Sequence, residues 1–297
     1  MTRRAPRSRL GCIGAGRVAS YFLPRWQAAA IELSGLHSHN AAGGRRLARR
    51  LRVRHFADVT KLVSESRLLL LAVPDDALAA LCQELAFRAE WKGRTVLHCS
   101  GIHGPEILKP LAAGGAETGL LHPLAVIPRD ASRELAINSA ARCEGSPIAV
   151  RSARRLARKL KLRPLPVDDW TPLKRADYHT AATLAANDIV ALIVTASKLL
   201  LPLGLNRREA LDALIPLAQG ALSELSEEDP GEAVSGPIPR GDVGTVERHL
   251  ERLRRRAPTL EQPHLALAAE QLKLAVEAGR IDAGQAAKLR KLFRGGR

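Results

Sequence analysis

Residues 10–20 read LGCIGAGRVAS. An apolar run, Leu10–Ile13, ends in Gly14-Ala15-Gly16-Arg17-Val18, and Ala19 completes the pattern G-x-G-x-x-A where a helix should begin. A dinucleotide-binding strand-to-helix junction needs that context. Gly14 would permit the tight turn, Gly16 would let a pyrophosphate approach the backbone, and Ala19 would be small enough for helix–strand packing. The amides of the helix N-terminus would then face the phosphates.

Working outward, short apolar runs recur at Leu10–Ile13, Ile31–Leu36, Val53–Phe56, Leu68–Val73, Thr95–Cys99, Thr118–Leu121, Pro147–Val150 and Arg163–Val167. Segments of helical period separate most of them. This alternation predicts a parallel sheet covered by helices. Beyond about residue 166 the strand signals stop, and Trp170 to Leu203, Arg207 to Leu225, Val243 to Arg256, Glu261 to Ala278 and Ala283 to Phe293 read as helices. The expected fold is therefore α/β: a Rossmann-type sheet domain over residues 1–165, then an all-helical domain over 166–297.

Composition narrows the class. A chain of 297 residues with 46% hydrophobic content can bury one large core or two modest ones. Cys12, Cys82, Cys99 and Cys143 have no metal-ligand spacing, so they read as small core residues in a reducing cytoplasm and no metal is expected. No signal peptide is visible, and Ile189–Leu203, broken by Lys198 and Pro202, reads as a buried helix and not a membrane span. The net charge is +16, with twelve arginines and one acid, Glu32, in the first 55 residues. Such a field attracts anions. With 3% aromatic residues and no Cys/His finger, a phosphate-bearing small ligand is expected rather than nucleic acid.

The end of the second apolar run chooses the cofactor. An NAD site places a carboxylate there, but this chain continues His37-Ser38-His39-Asn40 and has no acid between Glu32 and Asp58. Arg17, Arg45 and Arg46 are close in sequence to where a 2′-phosphate would sit, so NADP(H) is expected, with Ser38, His39 and Arg45 as contacts. Ala72-Val73-Pro74 and Ser100-Gly101 stand at two further strand ends, where ligands of open α/β sheets bind. Asp75 and Asp76 read as capping residues of the next helix, and His98 reads as structural.

Taken together, IGAGRVA, AVPDDAL, VLHCSG, LLHPLAVI, YHTAATLAAND and GPIPRGDVGTVERHL resemble the bacterial family that joins a Rossmann-like domain to a DUF2520 domain. That family is similar in fold to pyrroline-5-carboxylate reductase, ketopantoate reductase and the β-hydroxyacid dehydrogenases. The resemblance implies an NADP-dependent reductase, a homodimer through the helical domain. It implies no particular substrate.

In the related dehydrogenases a lysine and an asparagine of the first long helix act on the substrate. Here that helix offers Lys174, His179, Thr183 and Asn187. The last three are spaced by four and would share a stripe, whereas Lys174 departs from the Lys–Asn spacing of the dehydrogenases. A buried structural hydrogen bond between His179 and Asn187 is the competing reading. His122-Pro123 would end the sixth apolar run on the ligand side, where an imidazole can exchange a proton near neutral pH. In SGPIPRGDVGTVERHL, residues 235–250, Asp242 would cap the helix that follows, and the resemblance implies a loop reaching the active site, with Arg240 clamping a substrate carboxylate or phosphate. A structural Arg240–Asp242 pair is the rival. The expected activity is NADP(H)-dependent hydride transfer to a small, anionic imine or keto compound in the cytoplasm. The alternative is a catalytically silent NADP(H)-binding sensor or interaction protein.

Overall fold

The computed structural model describes residues 9–295, and the chain divides into two compact units, Met1–Thr183 and Leu184–Arg297. The division falls inside the long helix, not after the last strand.

The first unit carries β1 (Leu10–Ile13), β2 (Leu33–His37), β3 (Leu68–Leu71), β4 (Thr95–His98), β5 (Glu117–Leu124), β6 (Ala140–Gly145) and β7 (Arg163–Pro164) in one sheet, ordered β2-β1-β3-β4-β5-β6-β7. Its helices are α1 (Arg17–Ala28), α2 (Ala41–Leu51), α3 (Val59–Ser64), α4 (Asp75–Arg88), α5 (Lys109–Ala113), α6 (Pro147–Lys159) and α7 (Pro172–Thr183). Strands β1, β3 and β4 are buried along their whole length. That is why LGCI and LLLL are continuous apolar runs: both faces of a parallel strand are covered. Alternate residues feed two cores. Cys12, Leu70, Leu97 and Leu121 meet Phe22, Trp26 and Leu156 on one side, while Ile13, Leu69, Leu71 and Val96 meet Leu78, Leu85 and Trp91 on the other. Trp26, fully buried, donates from Nε1 to Leu156 O at 3.0 Å and so ties α1 to α6.

Four expectations need correction. Pro147–Val150 is not a strand but the first turn of α6: Ser146 caps it through the amide of Ala149, and proline suits the first helical position. The strand there is β6, and it runs antiparallel to β5, so the sheet is not parallel throughout. Val53–Phe56 forms only an isolated bridge, Leu36 to His55. Asp75 and Asp76 lie in the first turn of α4, but the capping position belongs to Pro74 and no side chain caps it.

The second unit contains α8 (Ile189–Ser197), α9 (Arg207–Glu227), α10 (Pro230–Ala233), α11 (Val243–Arg256), α12 (Glu261–Glu277) and α13 (Ala283–Arg294). Ile238, Val246, Leu250, Leu265, Leu272 and Leu289 form its core. The remaining correction concerns the helix expected to be buried. The chain stays helical from Pro172 to Leu203, with mean hydropathy 1.7 in its most apolar window, and only 6% of that window is buried. By length and composition alone this helix could cross a membrane. Val190 and Leu192 of α8 and Leu217, Leu222 and Leu225 of α9 are exposed, although α8 packs on α9 and α9 also meets α10.

Candidate functional site

Gly14 closes the first turn of the sheet unit. Its φ is +113°, and a Cβ there would lie 2.1 Å from Ala72 O. Its amide donates to His37 O at 2.8 Å, while the amide of Ala72 donates to Ile13 O at 2.8 Å, which draws the ends of β1, β2 and β3 together. Gly16, at the N-cap of α1, is the opposite case: a Cβ there would meet nothing within 4 Å. No side chain caps α1 and no acid occupies its first turn. Ala19 is fully buried beneath. An open, side-chain-free helix N-terminus beside a glycine turn fits a pyrophosphate, so the residues present suit a dinucleotide.

At the end of β2, Ser38 is buried, His39 is exposed, and Asn40 caps α2 through the amide of Gly43 at 3.0 Å. Arg17, Arg45 and Arg46 are exposed, and none forms an ion pair among the described residues. Ala72 and Val73 are half-buried ahead of exposed Pro74. Ser100 is spent on structure, its Oγ accepting from the amide of His103 at 3.1 Å, and Gly101 beside it is buried.

The second face of the sheet turns polar where α7 covers it. His122 lies within β5 and not at its end, opposite Arg142 of β6, and Leu120 stands opposite Glu144. Alternation puts His122, Arg142 and Glu144 on one face while Leu121 and Cys143 face the apolar core. His122 Nδ1 is 2.7 Å from Tyr178 Oη of α7. Arg142 is fully buried, donates to Gly101 O at 3.1 Å and to His103 O, and lies over the rings of Trp170 and Tyr178 at 5.2 and 5.4 Å. Its Nε has no hydrogen-bond partner and is 3.8 Å from Glu144 Oε2. Arg175 of α7 pairs with Glu144 and, at 2.8 Å, with Glu106. Since α7 buries no residue completely, this polar layer is what holds it to the sheet.

Burial, the Arg142 charge and neighbouring His179 lower the pKa of His122 to about 4. Burial raises that of Tyr178 in spite of Arg142. Both are therefore neutral near pH 7. His98, buried completely, is lowered to about 3, with Nε2 bonded to Gly104 O and Nδ1 accepting from the amide of Ser100, each at 3.1 Å.

Of the residues singled out in the sequence, His122, His179 and Gly101 come together. A Cβ on Gly101 would lie 2.8 Å from His122 Nε2 and 3.0 Å from His179 Cδ2. Lys174 instead pairs with Asp169 at 2.6 Å. Thr183 Oγ1 donates to His179 O at 3.0 Å. The turn Leu184–Asp188 is a π-turn, so Asn187 does not continue the spacing-of-four stripe, and it is exposed. In the second unit Asp242 caps α11, accepting from the amide of Thr245 at 3.0 Å, and the rival Arg240–Asp242 ion pair does not form. Arg240 is exposed. Sequence reasoning passed over Tyr178, Arg142, Glu144 and Arg175. The alternation Ala141-Arg142-Cys143-Glu144 was the available signal, a period-two strand with charges on one face.

The family model described as a Rossmann-like domain matches residues 2–128, and the model described as DUF2520, a domain of unknown function, matches residues 139–271. The chain thus carries a Rossmann-like domain followed by a DUF2520 domain. Solved structures agree in fold. A protein from Bacteroides fragilis provisionally named an NADP oxidoreductase is 19% identical over 90% of this chain and 98% of its own, with TM-score 0.71. A reductive aminase from Aspergillus terreus, in complex with NADPH4, cyclohexanone and allyl amine, is 17% identical over 96% and 99%, with TM-score 0.62. A 1-pyrroline-5-carboxylate reductase from Streptococcus pyogenes is 16% identical over 92% and 98%, with TM-score 0.60. No curated protein matches.

Proposed function

We propose that this Rossmann-like, DUF2520-containing protein is an NADP(H)-dependent oxidoreductase acting on a small imine or keto compound. The observation that carries the proposal is the turn from Gly14 to Gly16, an anion cradle free of side chains, in a unit whose second strand ends without a carboxylate and beside unpaired arginines. The names of the structural neighbours support it: an NADP oxidoreductase, a reductive aminase bound to NADPH4 and a pyrroline-5-carboxylate reductase share the fold. Gly14, Ala15, Gly16, Arg17 and Val18 would hold the pyrophosphate. Ser38, His39 and Arg45 would meet the 2′-phosphate, and Ala72, Val73, Pro74, Ser100 and Gly101 would border the nicotinamide side. Bound there, the cofactor supplies or accepts a hydride.

The chain's own task is to move a proton and orient the substrate. His122 and His179, both against Gly101, are the groups placed for the proton. Lys174, Asn187 and Arg240 remain candidates for substrate contact by resemblance, Arg240 as an anion clamp. The exposed apolar residues of α8 and α9 support a homodimer through the helical unit. Four free cysteines, with the thiol pKa of buried Cys82 raised to about 12, accord with a reducing cytoplasm.

Fluorescence titration with NADPH and NADH tests the reading, followed by a screen of cyclic imines and 2-keto acids for NADPH oxidation. Tighter NADPH binding with turnover is expected. Preference for NADH would remove the argument from the end of β2. Binding without any turnover would leave the sensor function.

A further inference from the structure

The charges around Gly101 point to the kind of bond reduced. Within the sheet unit, three ring side chains meet beside this residue: His122, His179 and, through His122, Tyr178. The charge that acts on His122 and Tyr178 is the Arg142 guanidinium, bonded to the carbonyl of Gly101 itself. Neighbouring Glu144 and Glu106 are engaged by Arg175, with Glu144 also 3.8 Å from Arg142 Nε, so neither is free to neutralise a cationic ligand. A carbonyl gains negative charge on oxygen as it is reduced, whereas an iminium enters as a cation. A buried positive charge flanked by neutral, protonated donors stabilises the first and opposes the second.

Resting on the oxidoreductase reading, we infer that the site reduces a carbonyl group rather than an iminium, with the Tyr178–His122 pair delivering the proton. The carbonyl carbon gains a hydride from NADPH and the π electron pair moves to oxygen. The oxygen takes the proton of His122 Nε2–H, and Nδ1 takes the proton of the Tyr178 hydroxyl. After the alcohol leaves, water gives a proton to Nε2 and releases hydroxide to solvent, and Nδ1 returns its proton to the tyrosinate facing Arg142, which restores both donors.

The test compares a cyclic ketone with the cyclic imine of the same ring size, using the full-length protein and Tyr178→Phe, which keeps the ring on Trp170 and Arg142 but lacks the hydroxyl. The wild type should show at least tenfold higher kcat/KM for the ketone, and Tyr178→Phe should lose at least tenfold in kcat for it at unchanged NADPH affinity. A preference for the imine, or an undiminished Tyr178→Phe, would overturn the inference and leave the oxidoreductase reading standing. Turnover of neither compound would overturn the oxidoreductase reading itself. A readout independent of turnover uses 4-nitrophenol on the NADP+-loaded protein. Its yellow phenolate should form at a tenfold or higher proton concentration than in free solution, and piperidinium should not displace it. Tighter binding of piperidinium than of the phenolate would also overturn the inference.

Discussion

Gly14 and Gly16 lie two residues apart yet answer to different demands, and alanine at each separates them. At Gly14 a Cβ would combine a left-handed φ with a 2.1 Å approach to Ala72 O, so Gly14→Ala should destabilise the fold by at least about 2 kcal/mol. At Gly16 the added methyl meets open space. Gly16→Ala should therefore unfold at the same temperature as the wild type while binding NADPH at least tenfold more weakly, a cost of about 1.4 kcal/mol. Thermal melts with and without NADPH check both. Weak binding that tracks lost stability would contradict the cradle. His98 gives a second residue-level expectation. Its folded pKa, about 3, lies below the unfolded value of 6.5, so the unfolded chain takes up the proton first as pH falls. Its stabilising contribution is present above pH 6.5 and is lost toward pH 3. Between pH 7 and 5 that loss is about 2 kcal/mol, by integration over the unfolded titration. Urea midpoints of His98→Asn should lack this component of the slope. An unchanged slope would show that other groups carry it.

Among the elements, α7 is the least conventional, because charge and hydrogen bonds anchor it where an apolar stripe would be usual. Arg175→Met would leave Glu144, 9% exposed, without its close partner. Breaking a buried pair from one side costs about 3–5 kcal/mol, whereas removing both charges is often nearly neutral. Equilibrium unfolding should therefore find Arg175→Met far less stable than the double variant Arg175→Met with Glu144→Leu, and equal losses would mean that the pair is not what holds α7. This element also marks where the sequence stopped being legible. Leu10–Ile13 and Leu68–Leu71 announced themselves, since strands covered on both faces are continuous apolar runs. Strand β6 did not, because Arg142 and Glu144 point inward where a binary pattern expects apolar residues, and only contact with α7 reveals why they are tolerated. Pro147–Val150 misled for a related reason: four apolar or small residues fit a strand as well as the first turn of a helix. Likewise His122 and His179 could be named from sequence, but Tyr178 could not be preferred to Lys174 until the fold set its hydroxyl against His122.

At the scale of the whole molecule, the exposed apolar surface of the helical unit is the feature a lone soluble chain would not keep. Val190 is 60% exposed and Leu217 70%, on helices α8 and α9, which pack on one another. Apolar area removed from water contributes about 25 cal/mol per Å2, so a second copy covering these faces gains most there. The net charge of +16 works the other way, since it favours dispersed monomers at low salt. The balance predicts a dimer that tightens as salt screens the charge. Light scattering at 50 and 500 mM NaCl should find twice the chain mass, more completely at the higher salt. Leu217→Glu, which places a carboxylate in the buried face, should return the mass to one chain with the sheet unit's NADPH affinity unchanged. A wild type that stays monomeric at both salts but sediments with phospholipid vesicles would instead assign the Pro172–Leu203 helix to a membrane, and the homodimer would have to be given up.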